Sequence, residues 1–189
     1  MKSLEEVSFT KLAGRVSALY NEEQDALLLG MLGQDYVIRH DGISLHGQKA
    51  PDSHQTVIVD YLFSRGADLI AAPWRAIGDF ANGPVPDFRK KVELPVTQYV
   101  SEIMRRANAV LPLLDAVQGP SLIGGDFAFT VRALPKVSLR VEMSEETQDF
   151  PADVWVLFSN NADEFLSVTS LSTLAEIFKE RLLSILRIY

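Results

Sequence analysis

No cysteine occurs in this sequence. That excludes disulfides, thiolate zinc sites, iron–sulfur clusters held by cysteine alone, and a cysteine nucleophile. Histidine is scarce as well: His40, His46 and His54 are the only three, and no spacing among them matches a zinc motif. They read as surface or edge-strand residues, and no metal or other cofactor is expected. Serine is plentiful, but the G-x-S-x-G elbow of a serine hydrolase is missing. Positive charge is in the minority, with 18 Lys and Arg against 25 Asp and Glu for a net charge of -7, which weighs against a nucleic-acid surface. The one tight basic run, Arg89-Lys90-Lys91, reads as a solvated charge run leading a helix. No apolar run approaches the roughly 20 residues of a membrane span, and the opening MKSLEEVSF lacks the apolar core of a secretory signal. No membrane association and a cytoplasmic location are therefore expected.

What remains is an ordinary globular composition over 189 residues, 47% hydrophobic and 23% charged, read as a single α+β domain over residues 1–189. The expected architecture is an antiparallel or mixed sheet with a C-terminal strand meander, packed by several helices. Phe9, Leu12, Val16 and Leu19 recur at helical spacing and predict a helix from Leu4 to Tyr20. A second short helix is expected from Glu22 to Leu32, with acidic residues in its first turn and Gly33 past its end. His40-Asp41-Gly42 between apolar runs predicts a hairpin of Tyr36–Arg39 with Ile43–Leu45. Ile58, Tyr61 and Leu62 favour a helix over Gln55 to Phe63, with Gly66 as its cap. Pro73 is placed to open a helix through Ile77, followed by a breaker-rich loop from Asn82 to Pro86. Pro95 then opens a long helix whose face is Tyr99, Ile103, Ala107, Val110, Leu111 and Leu114, bent or restarted at Pro112.

The C-terminal third changes period. Phe127, Phe129, Val131 and Ala133, then Val137, Leu139, Val141 and Met143, alternate with polar residues and predict two antiparallel strands with one wet face. Val154 to Phe158 is apolar throughout and is expected nearer the sheet centre. A final helix is expected from Leu171 to Ile188, burying Leu171, Leu174, Phe178, Leu182 and Ile185.

Few residues offer chemistry. Asp126 follows two glycines at the head of a strand, where a carboxylate can stand clear of the sheet; a turn residue bonding a nearby amide is the competing reading. Asp126 and Asp153 are the candidate catalytic carboxylates, since some hydrolyses need only two carboxyls. Asp60, Tyr61, Trp74, Arg75 and Asn160 are the candidate ligand-binding residues, pairing aromatic surface with charge or placing amides after a strand. Core packing of Tyr61 and Trp74, and a turn at Asn160-Asn161, are the alternatives.

Taken together, Val59-Asp60-Tyr61-Leu62-Phe63, APWRAIGDFANG from Ala72 to Gly83, Gly125-Asp126-Phe127-Ala128-Phe129 with Leu134-Pro135, and Phe150-Pro151-Ala152-Asp153 leading to Leu157-Phe158 resemble an uncharacterised prokaryotic family. It is the domain of unknown function three-seven-eight-six, and the likeness runs from about Gln55 to Leu186. The resemblance implies an α+β domain found mostly in anaerobic bacteria and archaea, with no established activity, so it transfers no active site. An iron–sulfur cysteine cluster carried by some members cannot be inherited here. Where the family pattern tends to place a carboxylate after Leu-Phe, this chain has Ser159.

Three functions follow as expectations. The first is a non-enzymatic binding or accessory module whose sheet face or helix groove takes a small molecule or a partner protein. The second is a small hydrolase-like enzyme centred on Asp126, with Asp153 or Asp60 as partner and Arg75 as an anion contact. The third is a structural homodimer assembled through the helix from Pro95 to Gln118.

Overall fold

Two-residue turns with positive φ organise the N-terminal half. Leu32 and Gly33 have φ of 54° and 72°, and His46 and Gly47 of 51° and 76°, as the turns joining tightly twisted antiparallel strands require. Gly33 also has no room for a side chain, because a Cβ there would lie 2.3 Å from the Leu113 carbonyl oxygen. These turns belong to a five-stranded antiparallel meander of β1 (Leu19–Asn21), β2 (Ala26–Met31), β3 (Gln34–Arg39), β4 (Gly42–Leu45) and β5 (Gln48–Lys49), in that spatial order. The computed structural model that shows this describes Leu4, residues 7–81, Val85 and residues 87–188.

The expected hairpin is therefore present, with Arg39 opposite Gly42, but the helix expected over Glu22 to Leu32 is strand β2 preceded by a turn. Ala-Leu-Leu-Leu-Gly-Met is apolar at every second and at every third position, so its periodicity favours neither form. Leu27, Leu29 and Met31 face the core, and Gly33 closes a hairpin instead of capping a helix. The first helix is correspondingly shorter: α1 spans Phe9–Val16, and Ser17 in a left-handed conformation (φ 56°) stops it.

α2 (Asp52–Leu62) forms as expected, though its C-cap is Phe63 and not Gly66. The segment around Pro73 is irregular, with a cis Ala72–Pro73 bond, and α3 begins only at Ile77 and ends at Ala81. Backbone pairing of Arg75 with Phe158 holds Arg75 in an extended bridge. Except for Val85, the expected loop from Asn82 to Pro86 lies outside the described residues.

The long helix expected from Pro95 is a chain of short turns. A π-helical turn at Arg89–Glu93 leads into α4 (Leu94–Thr97), α5 (Val100–Arg105) and α6 (Ala107–Val110), and a 3-10 turn at Leu111–Leu114 leads into β6 (Ala116–Gln118). Pro95 and Pro112 cannot donate to a continuous helical ladder, and each stands in the first turn of a new piece. Ile103, Val110 and Leu114 are fully buried within this one chain, so the apolar face assigned to a dimer is already covered by its own fold.

β6, β7 (Phe127–Leu134), β8 (Val137–Ser144) and β9 (Asp153–Phe158) form a second antiparallel sheet in that order. β9 is thus an edge strand, not a central one. The fold is α+β, and its C-terminal sheet is a strand meander. α7 (Val168–Ile188) lies along the inner face of this sheet, with Phe178 6.4 Å from Phe129 ring to ring. The Leu32 amide donates to the Ala133 carbonyl at 3.1 Å and ties the two sheets together over one continuous core that runs from Phe9 to Leu186.

Candidate functional site

Alternation along β7, β8 and β9 does send Phe129, Val131, Leu139, Val141, Val156 and Phe158 into the core, but the opposite face of β8 is not wet. Ser138, Arg140 and Glu142 on β8 are all buried. The connection from Gly119 to Gly125 folds back over them as a strap. Arg140 Nε donates to Glu142 Oε1 at 2.8 Å, and its Nη2 donates to the Pro120 carbonyl. Glu142 accepts from Ser121 Oγ at 2.7 Å and from the Leu122 amide at 3.2 Å. A buried ion pair on the polar face of a strand is tolerable only when its remaining donors and acceptors are met, and the strap backbone meets them.

Register fixes what stands beside this pair. Trp155 on β9 is the partner of Glu142, and Asp153 is the partner of Ser144. Asp126 precedes Phe127, whose partner is Met143. Asp126 and Asp153 therefore flank the end of β8 on either side, roughly 9–10 Å apart at the backbone for two strand spacings. They line one open cleft of about 410 Å³ with Ser144, Glu145, Phe150 and Trp155. The two carboxylates proposed from the sequence do meet at one place.

Each of them is also held by the fold. Asp126 is exposed, and its Oδ2 accepts the Glu145 amide at 2.8 Å, as a turn carboxylate does. Gly125 beside it permits the close approach of strand ends, since a Cβ there would lie 2.7 Å from the Met143 carbonyl oxygen. Asp153 Oδ1 accepts from Arg89 Nη2 at 2.6 Å and from the Val154 amide at 2.9 Å. Arg89 reaches Glu93 Oε2 as well, at 3.4 Å, because the π-helical turn brings both side chains to the flank of β9. Glu93 is buried and accepts the Val156 amide at 3.0 Å; burial pushes its carboxyl above the ordinary value. The basic run is thus anchored, with Lys90 beside Asp87 at 3.6 Å.

The other candidates fall elsewhere. Tyr61 is fully buried and its hydroxyl joins three elements, donating to the Val16 carbonyl at 2.8 Å and accepting the Lys136 amide at 3.1 Å. Burial raises its pKa, and no ligand can reach it. Asp60 lines a groove of about 610 Å³ between α2 and the start of α7, where its Oδ2 accepts the Ser167 amide at 2.9 Å. The groove wall on α2 is the stripe Asp52, Gln55, Thr56, Val59 and Asp60, at helical spacing. Many of its polar atoms serve the fold: Thr56 Oγ1 donates to the Asp52 carbonyl, Gln55 Nε2 to the Ala50 carbonyl, and Ser167 and Ser170 bond each other.

Arg75 and Asn160 come together next to Trp74, but as a clamp. Arg75 donates to the Asn160 carbonyl at 3.0 Å and to the Asp79 carbonyl at 2.9 Å, and its guanidinium lies 3.9 Å over the Phe80 ring. Asn160 Nδ2 donates to the Pro73 carbonyl at 3.0 Å, and Asn161 accepts the Ile70 amide at 2.9 Å and donates to the Asp68 carbonyl at 2.8 Å. These residues staple residues 68–76 to the end of β9, and Trp74 is half-buried beside them. Ser159 is buried; its amide donates to the Ser138 carbonyl at 2.9 Å, which extends the ladder beyond β9, and its Oγ accepts the Ser138 amide at 3.3 Å.

The three histidines are dispersed. His40 stacks on Phe9 at 4.2 Å, His46 neighbours Gln34, and His54 Nδ1 lies 2.7 Å from the Tyr36 hydroxyl. Among the described residues no group of three His, Asp or Glu could hold a metal ion, and no helix is long and apolar enough to cross a membrane. Sequence reasoning missed Glu145, Phe150 and Trp155 as companions of Asp126, and Glu93 as the second carboxylate on Arg89. Phe150 carried a signal, a bulky aromatic directly after the acidic stretch from Ser144 to Asp149; Glu93 carried none, being 63 residues from its partner.

The family model described as Domain of unknown function (DUF3786) matches residues 8–181, so both sheets and most of α7 lie within it. The chain belongs to this family. No curated protein and no solved structure matches it.

Proposed function

We propose that this DUF3786 member is a non-enzymatic binding module that takes a cationic group on an apolar stem into the cleft between Asp126 and Asp153. The observation that carries this reading is the meeting of three carboxylates, Asp126, Glu145 and Asp153, with Phe150 and Trp155 in one hollow of about 410 Å³. That volume lies within the range of small-molecule sites. Carboxylates repay the desolvation of a cation, and aromatic faces both cover its stem and attract its charge. Arg89 is already engaged with Glu93 and Asp153, which leaves the cleft net negative.

A carboxylate hydrolase has less support. Such chemistry asks one carboxyl to be kept protonated by an apolar enclosure and the other to be free to act on substrate or water. Asp126 is exposed and bonded to a main-chain amide, and Asp153 is held by Arg89 and its own strand.

Calorimetric titration with agmatine and spermidine tests the reading. Wild type is expected to bind at least one of them saturably, with affinity falling as salt rises. The D126N/E145Q variant keeps the acceptor oxygens that bond the Glu145 amide and Ser101 while removing two charges, and it should bind at least tenfold more weakly. Equal binding by variant and wild type, or no binding of either probe at millimolar concentration, would count against it.

A further inference from the structure

The cleft does not end at Asp126 and Asp153. At the same end of the sheet the strap carries Leu122 and Ile123 outward, 60% and 51% exposed, and the β8–β9 connection carries Phe150, 72% exposed. Their placement follows from the hydrogen bonds. The Leu122 amide donates to Glu142, and Glu142 is the cross-strand partner of Trp155, which lines the cleft with Phe150. The strap backbone at Leu122 is thus bonded to the side chain of the residue that pairs with the cleft-lining Trp155. Three large apolar side chains held in water at one end of a sheet are more than a small cation needs.

From this, and resting on the binding reading above, we infer that the occupant is a segment of another protein in which Lys or Arg is interleaved with bulky apolar residues. The cleft takes its basic side chains, while Leu122, Ile123 and Phe150 take the apolar ones. Charge complementarity selects the sign: Glu145, Glu146 and Asp149 share the Phe150 loop with no basic residue between Ser144 and Asp153. The same charges repel nucleic acid and anionic lipid.

The mode of docking is fixed by the neighbouring edge strand. The outward amides of β9 are already occupied, Val154 by Asp153 Oδ1, Val156 by Glu93 Oε1 and Phe158 by the Arg75 carbonyl. A partner cannot add a strand there, so recognition runs through side chains and not through a main-chain ladder.

The test uses two fluorescein-labelled 15-residue peptides of equal charge, one built from Lys and Leu and the other from Lys and Ser, followed by anisotropy. Wild type is expected to bind the Lys/Leu peptide at least tenfold more tightly than the Lys/Ser peptide. In the L122S/I123S variant, which leaves every cleft-lining residue in place, that preference should fall at least threefold, while agmatine and spermidine affinity stays as in wild type. Loss of small-cation binding in wild type would defeat the cleft reading itself. Small-cation binding with no preference between the peptides, or a preference unchanged in the variant, would overturn only the inference of a protein partner. Zwitterionic lipid vesicles bound more tightly than either peptide would overturn it in favour of a lipid surface.

Discussion

Glu93 Oε1 accepts the Val156 amide at 3.0 Å and so caps the outer edge of the four-stranded sheet. The carboxyl is buried, and burial raises its pKa above the ordinary 4.5. Between that value and the raised one the folded state holds a proton the unfolded chain has released, so stability falls as pH rises through the window. Glu93→Gln keeps the acceptor and removes the titration. Thermal unfolding measured from pH 4 to pH 7 should show a shallower decline for the variant than for wild type. Glu93→Ala should instead lose about 1–3 kcal/mol, the cost of leaving a buried amide unpaired.

The strap makes a second prediction. Glu142→Leu leaves the Arg140 guanidinium buried without its carboxylate and should cost about 3–5 kcal/mol in urea unfolding. The double variant R140M/E142L should recover most of that loss, because an apolar pair needs no partner. It should also accelerate amide exchange of Leu122 and Gly125, whose backbone is tied down through Glu142 and Ser121. Stability recovered with unchanged exchange would mean that the pair does not hold the strap.

Tyr61 was a ligand candidate by composition, and the structure makes it a core strut. Tyr61→Phe removes the bond to the Val16 carbonyl and the acceptor of the Lys136 amide, and should destabilise by about 1–3 kcal/mol. Binding of agmatine to the folded variant should be unchanged, since Tyr61 lies in the core and not in the cleft.

Such contrasts show how much of the molecule could be read from residues alone. Strict alternation made β7 and β8 legible, and the Asp-Gly signal marked the β3–β4 hairpin. Ala26 to Met31 was ambiguous because it is apolar on both faces, and only pairing with β1 and β3 makes it a strand. Ser138, Arg140 and Glu142 looked like a solvated face because the strap that buries them has no period of its own. Of the site, Asp126 and Asp153 were named from turn and strand position, yet their meeting depends on register across β8, and Arg89 reaches Asp153 only through the π-helical turn. Arg75 and Asn160 are ligand candidates on separate grounds in the sequence, an aromatic-plus-charge pair and an amide after a strand; their bonding to each other and to backbone carbonyls makes them a clamp.

The account stands on the cleft beside Trp155, and the chain has only one other tryptophan, Trp74, which stands outside it. The most direct test is the indole N–H region of a ¹H–¹⁵N spectrum during titration with agmatine, in wild type and in D126N/E145Q. The account predicts a saturable shift of the Trp155 indole, a stationary Trp74 indole, and loss of the Trp155 response in the variant. Movement of Trp74 alone, or an unmoved Trp155 at saturating agmatine, would contradict it.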